Sequence, residues 1–134
     1  MFTKTLSGED AENYCQGEGG HLTSIHSEEE NDFVSLLDSD QMRIGGTDVL
    51  KEGTFVWTDG SAFNFTYWGG NNPNNGNGGG QDCVTINYGG PGLWDDQSCS
   101  SSHLGKFVCK QRRIKGMKIR KKKGCFAQAL TRTT

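Results

Sequence analysis

Apolar positions along the chain come in short, spaced groups, and the longest unbroken apolar run is two to three residues. Before Asp40 the spacing is helical. Ser7 with Asp10 three residues on reads as a capping-box-like start. Glu9 and Asp10 suit the positive end of a helix, and Ala11, Tyr14 and Cys15 recur at helical spacing. A short first helix is expected, ending near Gly17 and Gly19. Ser27 with Glu30 repeats the capping signature, and Phe33, Leu36 and Leu37 supply the apolar stripe of a second helix of about ten residues. After Asp40 the pattern breaks into strand-like pieces divided by glycines: Met42 to Ile44, Thr54 to Trp57, Cys83 to Tyr88, Leu93 to Asp95 and Lys106 to Lys110. Helices followed by strands indicate an α+β domain rather than alternating βαβ units.

A length of 134 residues fits one domain, and 32% apolar content with a mean hydropathy of -0.67 leaves nothing resembling a membrane span. The net charge of -2 hides an asymmetry. Through residue 109, four basic residues stand against all sixteen acidic ones, hence -12, whereas residues 110 to 134 carry ten Lys/Arg and no acid. The acidic body repels nucleic acid and invites cations. The chain therefore divides into a body, residues 1–110, and a basic tail, residues 111–134, expected to be disordered or non-native. Twenty glycines without a three-residue period exclude collagen. Between Trp68 and Gln81 the run GGNNPNNGNGGG has the composition of a flexible linker.

The five cysteines, Cys15, Cys83, Cys99, Cys109 and Cys125, contain no CxxC pair, and His21, His26 and His103 do not cluster with them. That speaks against zinc and for disulfides, hence for an oxidising compartment. The four cysteines of the body allow three pairings, among which spacing does not choose, and Cys125 is the odd one. No basic n-region with an apolar h-region precedes Cys15, so no secretory signal is expected within this chain.

Candidate chemistry collects around the Asn-rich loop. Asp48 and Glu52 precede it, while Asp82, Asp95 and Asp96 follow it. Carboxylate and amide oxygens without nitrogen or sulfur donors are what Ca²⁺ prefers. No enzyme is expected: neighbouring residues of a strand face opposite ways, so Asp95 and Asp96 make a poor acid/base dyad, and no Ser/His/Asp or Cys/His arrangement stands out. Phe55, Trp57, Trp94 and Phe107 are expected in the core, and His21 and His26 in structural roles. Asn64-Phe65-Thr66 is an N-glycosylation sequon, usable only in a secreted product.

The chain resembles the C-type lectin-like domain. The resemblance rests on AENYC at Ala11–Cys15, GGHLTSIHSEEENDF at Gly19–Phe33, IGGTD at Ile44–Asp48, EGTFVWTDGSAF at Glu52–Phe63 and Tyr67-Trp68. It continues through Asn72-Pro73-Asn74, QDC at Gln81–Cys83, LWDDQSC at Leu93–Cys99 and FVCK at Phe107–Lys110. It covers nearly all of residues 2 to 110 and none of the tail. It implies two helices, two small antiparallel sheets, a long calcium- and sugar-binding loop, and the pairings Cys15–Cys109 and Cys83–Cys99. It also implies calcium ligands at Asn72, Asn74, Gln81, Asp95 and Asp96, with Pro73 in the cis form. Asn72, Asn74, Gln81 and Asp95 would also meet the sugar. An auxiliary calcium site would comprise Asp48, Glu52, Asn75, Gln81 and Asp82.

Departures from the family pattern reduce the charge of the principal site: Asn72 stands where Glu or Gln is usual, Gln81 replaces a Glu, and Asp95 replaces an Asn. Gly8 and Arg43 occupy places where the family often has Trp, and the first strand is barely present at Met1 to Lys4. The resemblance implies an extracellular, Ca²⁺-dependent carbohydrate-binding domain favouring mannose- or fucose-type ligands. It would bind a glycan or glycoprotein, with no nucleic acid, no membrane span, and an oligomer as an option. The alternative is a lectin-like domain that binds a protein partner or ice without calcium.

Overall fold

The computed structural model describes residues 7–70, 73, 82–100, 105–111, 120–122 and 125–129. Two helices, α1 (Gly8–Gly17) and α2 (Glu28–Ser35), flank a mixed sheet of eight strands. The strands are β1 (Gly20–Leu22), β2 (Met42–Thr47), β3 (Val56–Trp57), β4 (Cys83–Ile86), β5 (Trp94–Gln97), β6 (Phe107–Gln111), β7 (Arg120–Lys122) and β8 (Cys125–Ala129). The order is β5-β4-β2-β6-β8-β7, with β1 paired to β6 and β3 to β2.

Both helices begin as their sequences dictate. Ser7 Oγ accepts the Asp10 N–H at 3.1 Å, and Ser27 Oγ accepts the Glu30 N–H at 3.1 Å. Glu30 Oε1 reaches back to the His26 N–H at 2.9 Å, which satisfies a further donor at the start of α2. The apolar stripe expected on α2 faces the core only in part: Leu37, just beyond the helix, packs against the main core. Leu36 is 82% and Phe33 39% exposed, whereas Asn31 and Val34 are fully buried. The cause is polar: Asn31 Nδ2 donates to Gly92 O at 3.0 Å, and its Oδ1 accepts from Trp94 Nε1 at 2.7 Å. A buried amide so matched fixes the helix rotation more firmly than an exposed Leu could.

Two antiparallel sheets were expected, and the described strands instead connect into one. β2 carries β4 antiparallel on one side and meets β6 in a parallel pairing at Arg43↔Phe107, which joins the two halves. The main core, centred on Ile25, Val34, Met42, Ile44, Trp57, Val84, Ile86 and Trp94, lies beneath this junction. A second cluster of Ala11, Cys15, Leu22, Phe107 and Cys109 seats α1.

The bridges are Cys15–Cys109 and Cys83–Cys99, with Cα separations of 5.4 and 5.1 Å. The second bridge explains Gly8: a Cβ there would stand 2.8 Å from Cys83 Sγ, so the disulfide occupies the space. Arg43 is 1% exposed, and desolvation lowers its pKa. The expected first strand, Met1 to Lys4, lies outside the described residues.

Within the tail, Arg120–Lys122 and Cys125–Ala129 form strands β7 and β8. β8 runs parallel to β6 from Phe107↔Cys125 to Gln111↔Ala129. The even-numbered carbonyls of β6 face the other edge, where Lys106 O takes the Arg43 N–H and Val108 O the Thr23 N–H. The odd-numbered backbone groups are thereby turned toward β8, and an open row of donors and acceptors is what an added strand pairs with.

Breaking Cys15–Cys109, which spans 94 residues, is expected to cost ~4 kcal/mol and to unfold the domain in reducing thermal scans; an unchanged Tm would contradict this. Asn31→Leu strands the Trp94 indole N–H and is expected to cost ~1–3 kcal/mol in denaturant titration. Truncation after Gln111 is expected to move Tm by only a few degrees. Ladder bonds worth ~0.5–1.5 kcal/mol each are offset by ~1–2 kcal/mol of ordering entropy per residue.

Candidate functional site

The hairpin β4–β5 and the end of β2 carry the candidate ligands. Thr47 pairs with Cys83, so Asp48 and Asp82 sit immediately beyond that pair, one at the end of β2 and the other at the start of β4. Two bonds to Asp82 O close this junction, from the Asp48 N–H at 3.2 Å and from Thr47 Oγ1 at 2.6 Å. After Asp48 the chain turns: Lys51 N–H donates to Asp48 O, Thr54 N–H to Lys51 O, and Gly53 N–H to Asp48 Oδ2 at 2.8 Å. The turn swings Glu52 back to Asp48 and presents Val49 and Leu50 to solvent, 62% and 86% exposed.

The result is a knot of three carboxylates. One oxygen from each of Asp48, Glu52 and Asp82 lies within 4.8 Å of the others. Asp48 is buried, and Asp48 Oδ1 and Asp82 Oδ1 are sequestered from water without receiving a donor. The ion pairs among the described residues, His21–Glu12, Lys106 with Asp38 and Asp40, and Lys110–Glu30, leave this knot uncompensated. Desolvation, and then hydrogen bonding with and repulsion from Asp48, push the carboxyls of Glu52 and Asp82 above the usual range. An all-oxygen, anionic donor set with two orphaned oxygens fits a hard divalent cation.

Asp95 and Asp96 follow the fully buried Trp94 on β5, opposite Thr85 and Val84. Strand alternation turns them to opposite faces. Asp95 accepts from Gln97 Nε2, while burial pushes its carboxyl up. Asp96, on the face of Trp94, is near enough to raise the pKa of Asp82. Thus Asp96 joins the Asp48, Glu52, Asp82 side of the hairpin, and its charge also helps push the Asp95 carboxyl up. Asn72, Asn74, Asn75 and Gln81 lie outside the described residues, and Pro73 is exposed.

One polar cluster gave no sequence signal. Ser24 Oγ donates to Asp59 Oδ2 at 2.5 Å and accepts from Lys110 Nζ at 3.1 Å, while His26 Nε2 meets Ser24 Oγ and Ser61 Oγ, each at 3.1 Å. The residues are those of a hydrolase, but the order is wrong. Ser24 is fully buried, and the Ser24 and Ser61 hydroxyls both donate to Asp59, so neither directs its proton at His26. Lys110 continues to Glu30 at 2.7 Å, which makes the network a tie between β6 and α2.

No described helix is long and apolar enough to cross a membrane. Comparison with known proteins agrees with the architecture. The family model of the lectin C-type domain matches residues 4–111. A lectin of Pleurodeles waltl is 41% identical over 109 residues, 75% of this chain, and the chain spans 62% of that relative's length. The cow C-type carbohydrate-recognition domain of CD23, solved in the presence of a GlcNAc2Man3 oligosaccharide, is 32% identical. It has a TM-score of 0.67 and covers 74% of this chain and 76% of its own. A calcium-independent type II antifreeze protein is equally similar, with 30% identity, a TM-score of 0.68, and 74% and 75% of the two chains covered. Both helix caps, both disulfides and strands β1 to β6 fall inside the matched span, and the chain belongs to the C-type lectin domain family.

Proposed function

We propose that this domain binds carbohydrate outside the cell through Ca²⁺ held by the oxygen donors beside the β4–β5 hairpin. The observation that carries the reading is the pair of buried carboxylate oxygens, Asp48 Oδ1 and Asp82 Oδ1, left without donors inside a knot of three acids. Asp48, Glu52 and Asp82 would hold an auxiliary ion. Asp96, with Asn72, Asn74 and Gln81 of the loop and with Asp95 once freed from Gln97, would form the principal site. Bound Ca²⁺ supplies open coordination positions that two vicinal sugar hydroxyls can fill. The chain's own work is orientation: amide and carboxylate oxygens fix which hydroxyls are accepted and which donated. Asn74 matches the mannose-type pattern, and the run from Gly69 to Gly80 has no aromatic to stack on the apolar face of galactose. Mannose- or fucose-type glycans and glycoproteins are therefore the proposed ligands.

A second reading keeps the fold and drops the ion. The likeness to a calcium-independent antifreeze protein favours it, as do the neutral residues at Asn72 and Gln81. A glycan array run with Ca²⁺ and with EDTA separates the two. Retention on mannose or fucose that EDTA abolishes is expected; EDTA-insensitive binding, or clear galactose selectivity, would overturn the proposal.

Calorimetry tests the ion directly. Calcium is expected to bind in the submillimolar to millimolar range of extracellular modules. Asp48→Asn should weaken it about tenfold, equivalent to ~1.4 kcal/mol, and Asp96→Asn should abolish calcium and sugar binding together.

The pH dependence has a defined sign. Carboxyls whose pKa is raised by folding penalise the folded state when ionised, so the penalty is present at neutral pH and is relieved as pH falls through the raised values. The Tm of the EDTA-treated domain should therefore rise as pH falls below neutrality, while calcium affinity falls because protons compete for the same oxygens. Asp48→Asn should remove most of that rise.

A further inference from the structure

We propose that Asn64 is an acceptor site for an N-linked glycan, carried on an extended segment that the folded domain holds open. Asn64-Phe65-Thr66 is the chain's one Asn-X-Ser/Thr sequence, and a sequon alone says little, because folding hides many of them. Here the fold does the opposite. From residue 62 to 66 exposure alternates: Ala62, Asn64 and Thr66 are exposed, while Phe63 and Phe65 are half-buried between them.

The inward residues are pinned by aromatic contacts. Phe63 lies 4.7 Å from Trp57 and 6.2 Å from Trp94, and Phe65 lies edge-on to Trp94 at 6.0 Å and stacked on Tyr67 at 6.3 Å. With a side-chain period of two, fixing both phenylalanines inward turns the Asn64 amide and the Thr66 hydroxyl outward on one side. These are the two groups that sequon recognition reads. The backbone of residues 62–66 makes no hydrogen bond with the other described residues, so the segment can enter an enzyme groove without breaking a ladder. Timing favours modification as well. The Cys15–Cys109 bridge cannot close until Cys109 has entered the oxidising compartment, well after Asn64 has passed the transferase.

The reaction needs a polyprenyl-pyrophosphate-linked oligosaccharide as co-substrate. Asn64 Nδ2 attacks the anomeric carbon, the bond from that carbon to the phosphate oxygen breaks, and the pyrophosphate leaves with the electron pair. One amide proton passes to a transferase base, and an N-glycosidic bond results. The site lies three residues before Tyr67, whose carbonyl accepts the Trp94 N–H at 3.0 Å. The glycan would thus stand over the half-buried aromatic row, about 10 Å along the chain from the strand that bears Asp95 and Asp96.

The inference needs the secretory compartment that the extracellular reading implies, and the test supplies that compartment. It therefore stands or falls separately from sugar binding. The full chain behind a cleavable leader is translated with microsomes and digested with peptide N-glycosidase F. The expected result is a band shift removed by the enzyme, with conversion of Asn64 to Asp by mass spectrometry. The shift should be lost in Asn64→Gln and Thr66→Ala and retained in Thr66→Ser. An unshifted chain beside a modified control glycoprotein would overturn the proposal, as would a shift that survives Asn64→Gln.

Discussion

Trp94 is the contact on which the half that carries the candidate site depends. Its indole N–H is held by buried Asn31 of α2, and four rings, Trp57, Phe63, Phe65 and Trp68, meet its ring at 5.5 to 6.2 Å, nearly perpendicular to it. Edge-to-face packing of this kind adds ~0.5–1.5 kcal/mol per pair beyond area burial. Its backbone matters equally: the Trp94 N–H donates to Tyr67 O, and Trp94 O accepts from Gly69 N–H at 2.9 Å. One residue thereby fixes α2, anchors the entry to the Asn-rich loop, and sets the phase of β5. With Trp94 committed inward, alternation puts Asp96 on its side.

That commitment loads charge onto one edge of the domain. Asp48, Glu52, Asp82 and Asp96 converge where the β2–β4 ladder ends, and no basic side chain among the described residues forms an ion pair with the three-acid knot. Elsewhere the acidic body compensates itself: Lys106 bridges Asp38 and Asp40, and Lys110 meets Glu30. The contrast is the argument for a cation. A buried carboxylate oxygen without a donor is costly, and natural folds tolerate such violations mainly where an external group removes the cost.

The sequence announced features that depend on neighbours and hid those that depend on register. Both helix starts were legible because a cap is a local contract between Ser and a residue three positions on. The inward face of α2 was not, since Asn31 is buried for a partner sixty-three residues away. β1 left no pattern because three residues give no period to read. The disulfide pairing came from family likeness and not from spacing. The acid knot joins residues up to thirty-four positions apart, and its assembly follows from Thr47↔Cys83, a register that the topology creates.

The two tail strands extend an edge that the body already presents. Arg120–Lys122 and Cys125–Ala129 come from a segment rich in charge. What they meet is the odd-numbered backbone row of β6, whose opposite row is already shared between β1 and β2. Parallel addition of β8 satisfies that row, and β7 then becomes the outer strand by folding back antiparallel. The new edge is Arg-Lys-Lys. The addition therefore moves the open edge of the sheet from Phe107–Gln111 to Arg120–Lys122.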